Sequence, residues 1–322
     1  MVATPHAAGS RPGEARLMGT FAGMQPRVSV VMPAYNAART LRVAVDSVLA
    51  QDFSDFELIV CDDASRDDTA TLLSGYADPR LKVVRNAANL GEGGARDRAI
   101  AGACGKWIAV IDADDAWLPQ RLSMLLAAAG ERDDVLVFDD LVECHDVDAR
   151  MVPWRRLRGG RAFGANGHDP VPVAFADLIH QRRLLIKPLF PAKLVRDHAV
   201  RHSDRRFGAD TEYFLRLIEH GLQPVYVPQA LYLYRLTPGS MSSTPRRELL
   251  MREVLLAAAG RMCLDQRGQA ALARKIAAVE RAARYADLLG AVRGGRWLAA
   301  CRQLVGDPAL LREFLLRLPE TI

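Results

Sequence analysis

The sequence is poor in the features that mark most specialised protein classes. Its five cysteines, Cys61, Cys104, Cys144, Cys263 and Cys301, are odd in number and scattered, with no C-x-x-C pair. They indicate neither a disulfide framework nor a zinc or redox dithiol, and reduced thiols of a cytosolic protein are expected. No stretch approaches the roughly 18 uninterrupted apolar residues of a membrane-spanning helix, and the N-terminus has no apolar core of a secretory signal, which predicts a cytoplasmic location. There is no P-loop and no G-x-S-x-G nucleophile elbow. Gly91-Glu92-Gly93-Gly94 is not G-x-G-x-x-G and gives little support for a dinucleotide fold. Aromatic residues make up 7% of the chain, and they do not form a base-stacking series with the arginines, so nucleic acid is not an expected partner. His198 and His202 stand four apart, but without the Glu of H-E-x-x-H or a third ligand they read as a solvated helix face.

What is present is the composition of a globular protein. Half of the 322 residues are hydrophobic and 25% are charged, enough for a sizeable core and too apolar for disorder. The net charge of +5 is unevenly placed: from Arg246 onward 14 basic residues face eight acidic ones, while the preceding chain is close to neutral. Residues 1–26 mix Pro, Gly, Ala and Arg without periodicity and read as a flexible leader. From Arg27 short β-branched runs alternate with helical patterns. Val28 to Met32, Glu57 to Cys61, Leu81 to Val84, Trp107 to Ile111 and Val135 to Phe138 read as strands. Thr40 to Leu49, Thr69 to Tyr76, Gly93 to Ala103 and Gln120 to Ala129 read as the crossover helices between them. This alternation predicts an α/β fold, Rossmann-like, with a mostly parallel sheet covered by helices on both faces and ligands held beyond the carboxyl ends of the strands.

From Val142 to Arg206 the pattern is irregular and reads as a variable insertion more than core. A helix from Thr211 to His220 and strand-like runs at Val225 to Val227 and Leu231 to Tyr234 follow. Beyond Pro245 the Ala-, Leu- and Arg-rich spacing predicts a helical appendage.

Three loops leave the strand ends on one rim. Asp112-Ala113-Asp114-Asp115 offers hard oxygen ligands suited to Mg²⁺ or Mn²⁺, although a solvated acidic turn would read the same way. Asp62 and Asp63 are adjacent carboxylates that repel unless one finds a donor, such as the imide N–H of a uracil. Helix capping is a sufficient account of Asp67 and Thr69.

Taken in order, Pro33-Ala34-Tyr35-Asn36, the run Asp62 to Thr69, Asn89-Leu90-Gly91 with Ala95-Arg96, and Asp112-Ala113-Asp114-Asp115 resemble the family 2 glycosyltransferases, nucleotide-sugar enzymes of the GT-A fold. The resemblance runs from Arg27 to about Ser243. It implies a glycosyltransferase domain over 27–244, with a nucleotide-sugar half at 27–141 and an acceptor half at 142–244, followed by a basic helical segment at 245–322. It further implies that Pro33, Tyr35, Asn36 and Asp63 surround the uracil, that Asp112 approaches the ribose or sugar, that Asp114 ligates the metal and that Arg96 lies along the cleft. Asp62 belongs to the same set of nucleotide-sugar residues.

In the segment Phe207 to Glu212, which is similar to the family's Glu-Asp site, the catalytic base maps onto Asp210, with Ala209 in place of the Glu. An N-cap role for Asp210 is the competing reading. Tyr234-Arg235-Leu236-Thr237 resembles the closing loop, with Thr237 where a His is common; Arg235 would neutralise the leaving diphosphate or form a surface ion pair. The implied reaction is an inverting, metal-dependent transfer of a hexose, taken as glucose, from a UDP-sugar. The acceptor would be a glycan or a polyprenyl-diphosphate-linked oligosaccharide in polysaccharide biosynthesis. The ordering around Lys187-Pro188-Leu189-Phe190 is similar to succinoglycan-type glucosyltransferases. The basic segment would touch the inner membrane face, or serve as a solvated face or an oligomer contact. A nucleotidyltransferase and a non-catalytic nucleotide-sugar-binding module are the alternatives.

Overall fold

The computed structural model describes residues 25–159, 161–181, 183–205, 208–237 and 247–321. The leader, apart from Gln25 and Pro26, together with Phe207 and the end of the closing loop beyond Thr237, lies outside the described residues.

The first strand, β1 (Val28–Ala34), is buried along its whole length, as a strand covered on both faces requires. It pairs in parallel with β2 (Phe56–Asp62) and β4 (Trp107–Val110), and β2 pairs in parallel with β3 (Leu81–Arg85). The crossovers are α1 (Leu41–Leu49), α2 (Thr69–Ser74) and α3 (Gly91–Ala101). Helix α1 buries Leu41, Ala44, Val45 and Val48, one stripe at helical spacing, against the sheet. Gly105, in the turn before β4, lies so close to β1 that a Cβ there would come within 2.6 Å of the Ser29 nitrogen. The turn therefore requires a residue without a side chain.

The second half of the sheet is built from β5 (Ala116–Trp117), β6 (Val135–Val147), β7 (Arg150–Arg156), β8 (Val171–Pro172), β9 (Leu189–Pro191) and β10 (Gln223–Leu236). The strand order is β3-β2-β1-β4-β9-β6-β10-β5, with β7 beside β6 and β8 beside β10. Helix α4 (Arg121–Ala129) precedes β6; α5 (Phe175–Ile179), α6 (Ala192–His198) and α7 (Ala209–Glu219) lie between β8 and β10. Two clusters form the core, one on each side of the sheet.

The stretch from Val142 to Arg206 is not the insertion the sequence suggested. Within it β9 runs antiparallel between β4 and β6 at the centre of the sheet, with Leu189 and Phe190 fully buried. The runs at Val225 to Val227 and Leu231 to Tyr234 are parts of one strand, β10, whose register slips on either side of Ala230. The C-terminal helices are α8 (Arg247–Arg261), α9 (Gln266–Arg293), α10 (Trp297–Gly306) and α11 (Pro308–Thr321). Helix α8 and the first half of α9 share a core with α5 and α7 through Ile179, Leu215, Val254 and Leu272. Among the described residues, no helix is long and apolar enough to cross a membrane.

Candidate active site

The loops after β1, β2 and β4 meet at an open cleft of about 450 Å³. Pro33, Tyr35, Asn36, Asp63, Asp112 and Asp114 line it, together with Arg39, Glu92, Tyr234 and Thr237. The first two loops hold each other through side chains. Asn36 has a positive φ of 49°; its N–H donates to the Ser65 hydroxyl at 2.9 Å and its Oδ1 accepts from the Arg66 N–H at 2.8 Å. The Thr69 hydroxyl oxygen accepts from the Ala37 N–H at 2.8 Å, and Asp67 accepts from the Ala38 and Thr69 N–H groups, both at 3.0 Å. Burial pushes the Asp67 carboxyl up, but the Thr69 hydroxyl and these N–H donors outweigh it and hold it below its ordinary value. Asp67 and Thr69 thus join two loops as well as ordering the start of α2. Tyr35 stands half-exposed at the mouth.

The two adjacent carboxylates after β2 separate into different roles. Asp62 is buried outside the cleft lining, accepts from the Ser65 N–H at 3.0 Å and pairs with Arg85 at 3.2 Å. It is therefore a loop-fixing residue here, a correction to its grouping with the nucleotide-sugar residues. Asp63 faces the cleft while accepting from Asn86 Nδ2 and the Leu90 N–H, both at 2.8 Å, and the Gly91 N–H at 2.9 Å, at the amino end of α3. Its two oxygens offer about four acceptor positions, so one remains for a ligand N–H.

At the end of β4 the three carboxylates of the acidic turn lie in different environments, although each can bring an oxygen within 4.8 Å of the others. Asp112 takes Arg96 at 2.7 Å and the Lys187 ammonium. Asp115 is buried, accepting from the Tyr232 hydroxyl at 2.6 Å and the Arg235 N–H at 2.8 Å. Asp114 faces the cleft; burial and the charge of Asp112 push its carboxyl up to about 6.

Arg235 does not reach the cleft. Its guanidinium is buried and donates to the Asp114 carbonyl at 2.6 Å and the Ala149 carbonyl at 3.2 Å, and it pairs with Asp146 at 3.3 Å. Both of its expected roles, diphosphate ligand and surface ion pair, are replaced by a buried fastening of the acidic turn to the β6–β7 hairpin. Thr237, at the position where the family resemblance suggested a His, lines the cleft itself.

Asp210 is the second residue of α7 and makes no capping bond; Gly208, with φ 77°, occupies the cap. Its carboxylate instead pairs with the Arg96 guanidinium and lies 3.3 Å from Lys187 Nζ. Arg96 lies beneath the cleft, joining Asp112, Asp210 and, at 2.7 Å, Glu92. Burial would push Asp210 up, but Arg96 and Lys187 outweigh it and hold its carboxyl well below the ordinary range. Burial would likewise push Lys187 down, yet Asp112 and Asp210 hold it up.

Sequence reasoning missed Lys187, Glu92 and His202 as members of this cluster. Lys187 was legible as a lone charge in the apolar run Leu184 to Phe190, which demands a buried partner. The helix-face reading holds for His198, exposed on α6, and fails for His202. Helix α6 ends at His198, and beyond Ala199, in a left-handed conformation with φ 47°, the chain turns His202 inward. There it is buried, bound to Asp97 and stacked on Tyr213.

With the geometry described, comparison with known proteins decides the family. Residues 29–184 match the model for Glycosyl transferase family 2. A putative colanic acid biosynthesis glycosyl transferase, WcaA of Escherichia coli K12, is 38% identical over 232 residues, covering 69% of this chain and 77% of its own. The chain belongs to glycosyltransferase family 2. The succinoglycan biosynthesis protein ExoO of Rhizobium meliloti is 28% identical over 301 residues, covering 89% of this chain and 83% of its own. A shorter match, 40% over 100 residues, covering 31% of this chain and 40% of that protein, is to WfgD of E. coli, a UDP-Glc:alpha-D-GlcNAc-diphosphoundecaprenol beta-1,3-glucosyltransferase. Among solved structures, S. aureus TarS 1-349 in complex with UDP-GlcNAc superposes with a TM-score of 0.63 at 21% identity, covering 80% of this chain and 72% of that one. The family assignment carries the GT-A fold and makes the protein a hexosyltransferase, which sets the nucleotidyltransferase and binding-module alternatives aside.

Proposed function

We propose that this glycosyltransferase moves a glucosyl group from UDP-glucose, with inversion, to a glycan or a polyprenyl-diphosphate-linked acceptor. The observation that supports this best is that Asp63, Asp112 and Asp114 line one cleft while Asp210 is linked to Asp112 through both Arg96 and Lys187. The name of WfgD favours a glucosyl donor and a diphosphoundecaprenol-linked acceptor, and that of ExoO favours polysaccharide biosynthesis.

In this reading Asp63 receives the uracil N3–H and Tyr35 packs on the ring. Asp114 fits a Mg²⁺ or Mn²⁺ ligand: its carboxylate faces the cleft, whereas Asp112 and Asp115 are committed to Arg96, Lys187, Tyr232 and Arg235. One carboxylate plus substrate phosphate oxygens is an ordinary way to hold such an ion, which would stabilise charge on the departing diphosphate. Asp210, kept ionised by its two cations, orients the acceptor hydroxyl and accepts its proton as the oxygen attacks the anomeric carbon from the face opposite the diphosphate. Attack on one face, with one base, inverts the configuration. With a lipid-carried acceptor, the enzyme would work against the inner membrane face, where α10 and α11 offer exposed apolar side chains.

The test is UDP release from a panel of UDP-sugars, with and without Mn²⁺ or Mg²⁺, using a membrane lipid extract as acceptor. Metal-dependent release from UDP-glucose and a β-linked product are expected; an α-linked product would sink the inverting mechanism. Asp210→Asn is expected to lower turnover by about 10²- to 10⁴-fold while UDP binding, followed by calorimetry, persists.

A further inference from the structure

A base held strongly ionised is well placed to orient a hydroxyl but has little affinity for its proton. Behind Asp210 lies the imidazole of His202. The His202 ring is enclosed, its side chain 1% exposed, and stacks on Tyr213 with centroids 4.0 Å apart and planes 2° from parallel. Its other side rests on α3 at Gly93, where a Cβ would come within 2.8 Å of the histidine Cβ. Asp97 grips it twice: one oxygen takes the His202 backbone N–H at 2.9 Å, the other meets Nδ1 at 2.7 Å. A carboxylate at Nδ1 fixes the proton there and leaves Nε2 as a bare lone pair. That nitrogen is buried, has no hydrogen-bond partner among the described residues, and points at Asp210 Oδ1 from 3.9 Å.

A buried acceptor atom with no donor stays unsatisfied until a proton reaches it. We propose that His202, held by Asp97, is the proton acceptor behind Asp210, so that the proton of the attacking hydroxyl passes through Asp210 to His202 Nε2. This rests on Asp210 as the base. The balance is simple. The acceptor O–H bond breaks, its oxygen bonds to the anomeric carbon, and the electron pair of the broken glycosyl–phosphate bond leaves with UDP. The proton ends on Nε2, and the resulting imidazolium faces two carboxylates, Asp97 and Asp210. A side-chain shift of about 1 Å brings Nε2 and Oδ1 to hydrogen-bonding distance. His202 acts through Asp210 and is a positioning residue.

Two measurements test this. In the ligand-free full-length protein at pH 8, ¹⁵N–¹H correlation of the histidine rings, with the His202 signal assigned by its loss in His202→Gln, is expected to show a proton on Nδ1 and none on Nε2. A proton on Nε2 overturns the proposal, and this arm needs no acceptor. With UDP-glucose, Mn²⁺ and lipid extract, His202→Gln and the ring-conserving His202→Phe are expected to lose about 100-fold in kcat. Their KM for UDP-glucose, UDP affinity and thermal unfolding midpoint should stay close to wild type, whereas a merely structural role would move these together. The double variant Asp97→Asn/His202→Gln is expected to be no slower than His202→Gln alone, since both act through one ring. Full turnover in His202→Gln with none in Asp210→Asn overturns the relay and leaves the base in place. Full turnover in both overturns the base assignment.

Discussion

Without Lys187, Asp112 and Asp210 would face each other across Arg96 alone, and the carboxylate that loses a neighbouring cation binds its proton more tightly. Lys187→Met is therefore expected to move the acidic limb of the pH–rate profile for UDP release to higher pH; an unchanged limb would mean that Lys187 does not govern Asp210. Asp67 presents a separate case, because it is exposed and its bonds join two loops. Its carboxyl is lowered in the folded chain, so its contribution is fully present above the unfolded value of about 4 and is lost as pH falls through the folded value. Asp67→Ala is expected to cost about 1 kcal/mol in urea unfolding at pH 7 and to cost less toward pH 3. The cleft residues legible beforehand, Tyr35, Asp63, Asp112 and Asp114, all follow directly on buried parallel strands, where local pattern and topology coincide. Lys187 and His202 were not legible as a pair because nothing in a linear pattern says that a residue before β9 meets Asp112 and one after α6 meets Asp97, 75 and 105 positions earlier in the chain.

Elements were readable where one local period runs unbroken from end to end; β6 (Val135–Val147) extends well beyond the expected Val135 to Phe138. Strands β1, β2, β3 and β4 and helices α1 to α4 follow the expected spans within about two residues, since each is long enough to show its period. Strand β9 has three residues, too few to show any alternation, and β7, earlier in the chain, is an exposed, arginine-rich strand beside β6, so the stretch that holds them carried no strand signal. Strand β10 was split in the reading because Pro228 and the slips around Ala230 interrupt its pattern. Tertiary burial supplied what local periodicity lacked. Phe190→Ala is accordingly expected to cost about 3–5 kcal/mol, read as a lower urea midpoint, which an insertion loop would not show. Arg235 links the acidic turn to the hairpin of β6 and β7. Arg235→Met is expected to weaken UDP binding through disorder of the Asp114 turn and to destabilise the chain by leaving Asp146 with Arg39 as its remaining partner of the two.

For the molecule as a whole, the basic C-terminal segment splits in two. Several of its cations are tied down: Arg252 to Glu280, Arg261 to Glu219 and Arg267 to Asp177. Its beginning covers Ile179 and Leu215 of the domain before it. A chain ending at residue 246 is expected to aggregate, measured as loss of the monodisperse peak in size-exclusion chromatography. The far end differs, for α10 and α11 expose Trp297 at 63%, Leu298 at 80%, and Val305, Leu315 and Leu316, apolar side chains interspersed with arginines, as in helices that lie at a lipid surface. Flotation with phosphatidylglycerol vesicles is expected for the full chain and not for one ending at residue 294; equal flotation would reject that contact. The central position of β9 also imposes an order of assembly. Strands β1 to β4 are contiguous in the chain and can close on one another as they are synthesised, so the side of the cleft that carries Tyr35 and Asp63 comes first. The strand that carries Lys187 in beside Asp112 must be inserted between β4 and β6 only after β6 has been made, and α7 with Asp210 comes later still. A nascent chain that has not reached β9 thus carries the loops of Asp63 and Asp114 but neither Lys187 nor Asp210, so one side of the site is made well before the other.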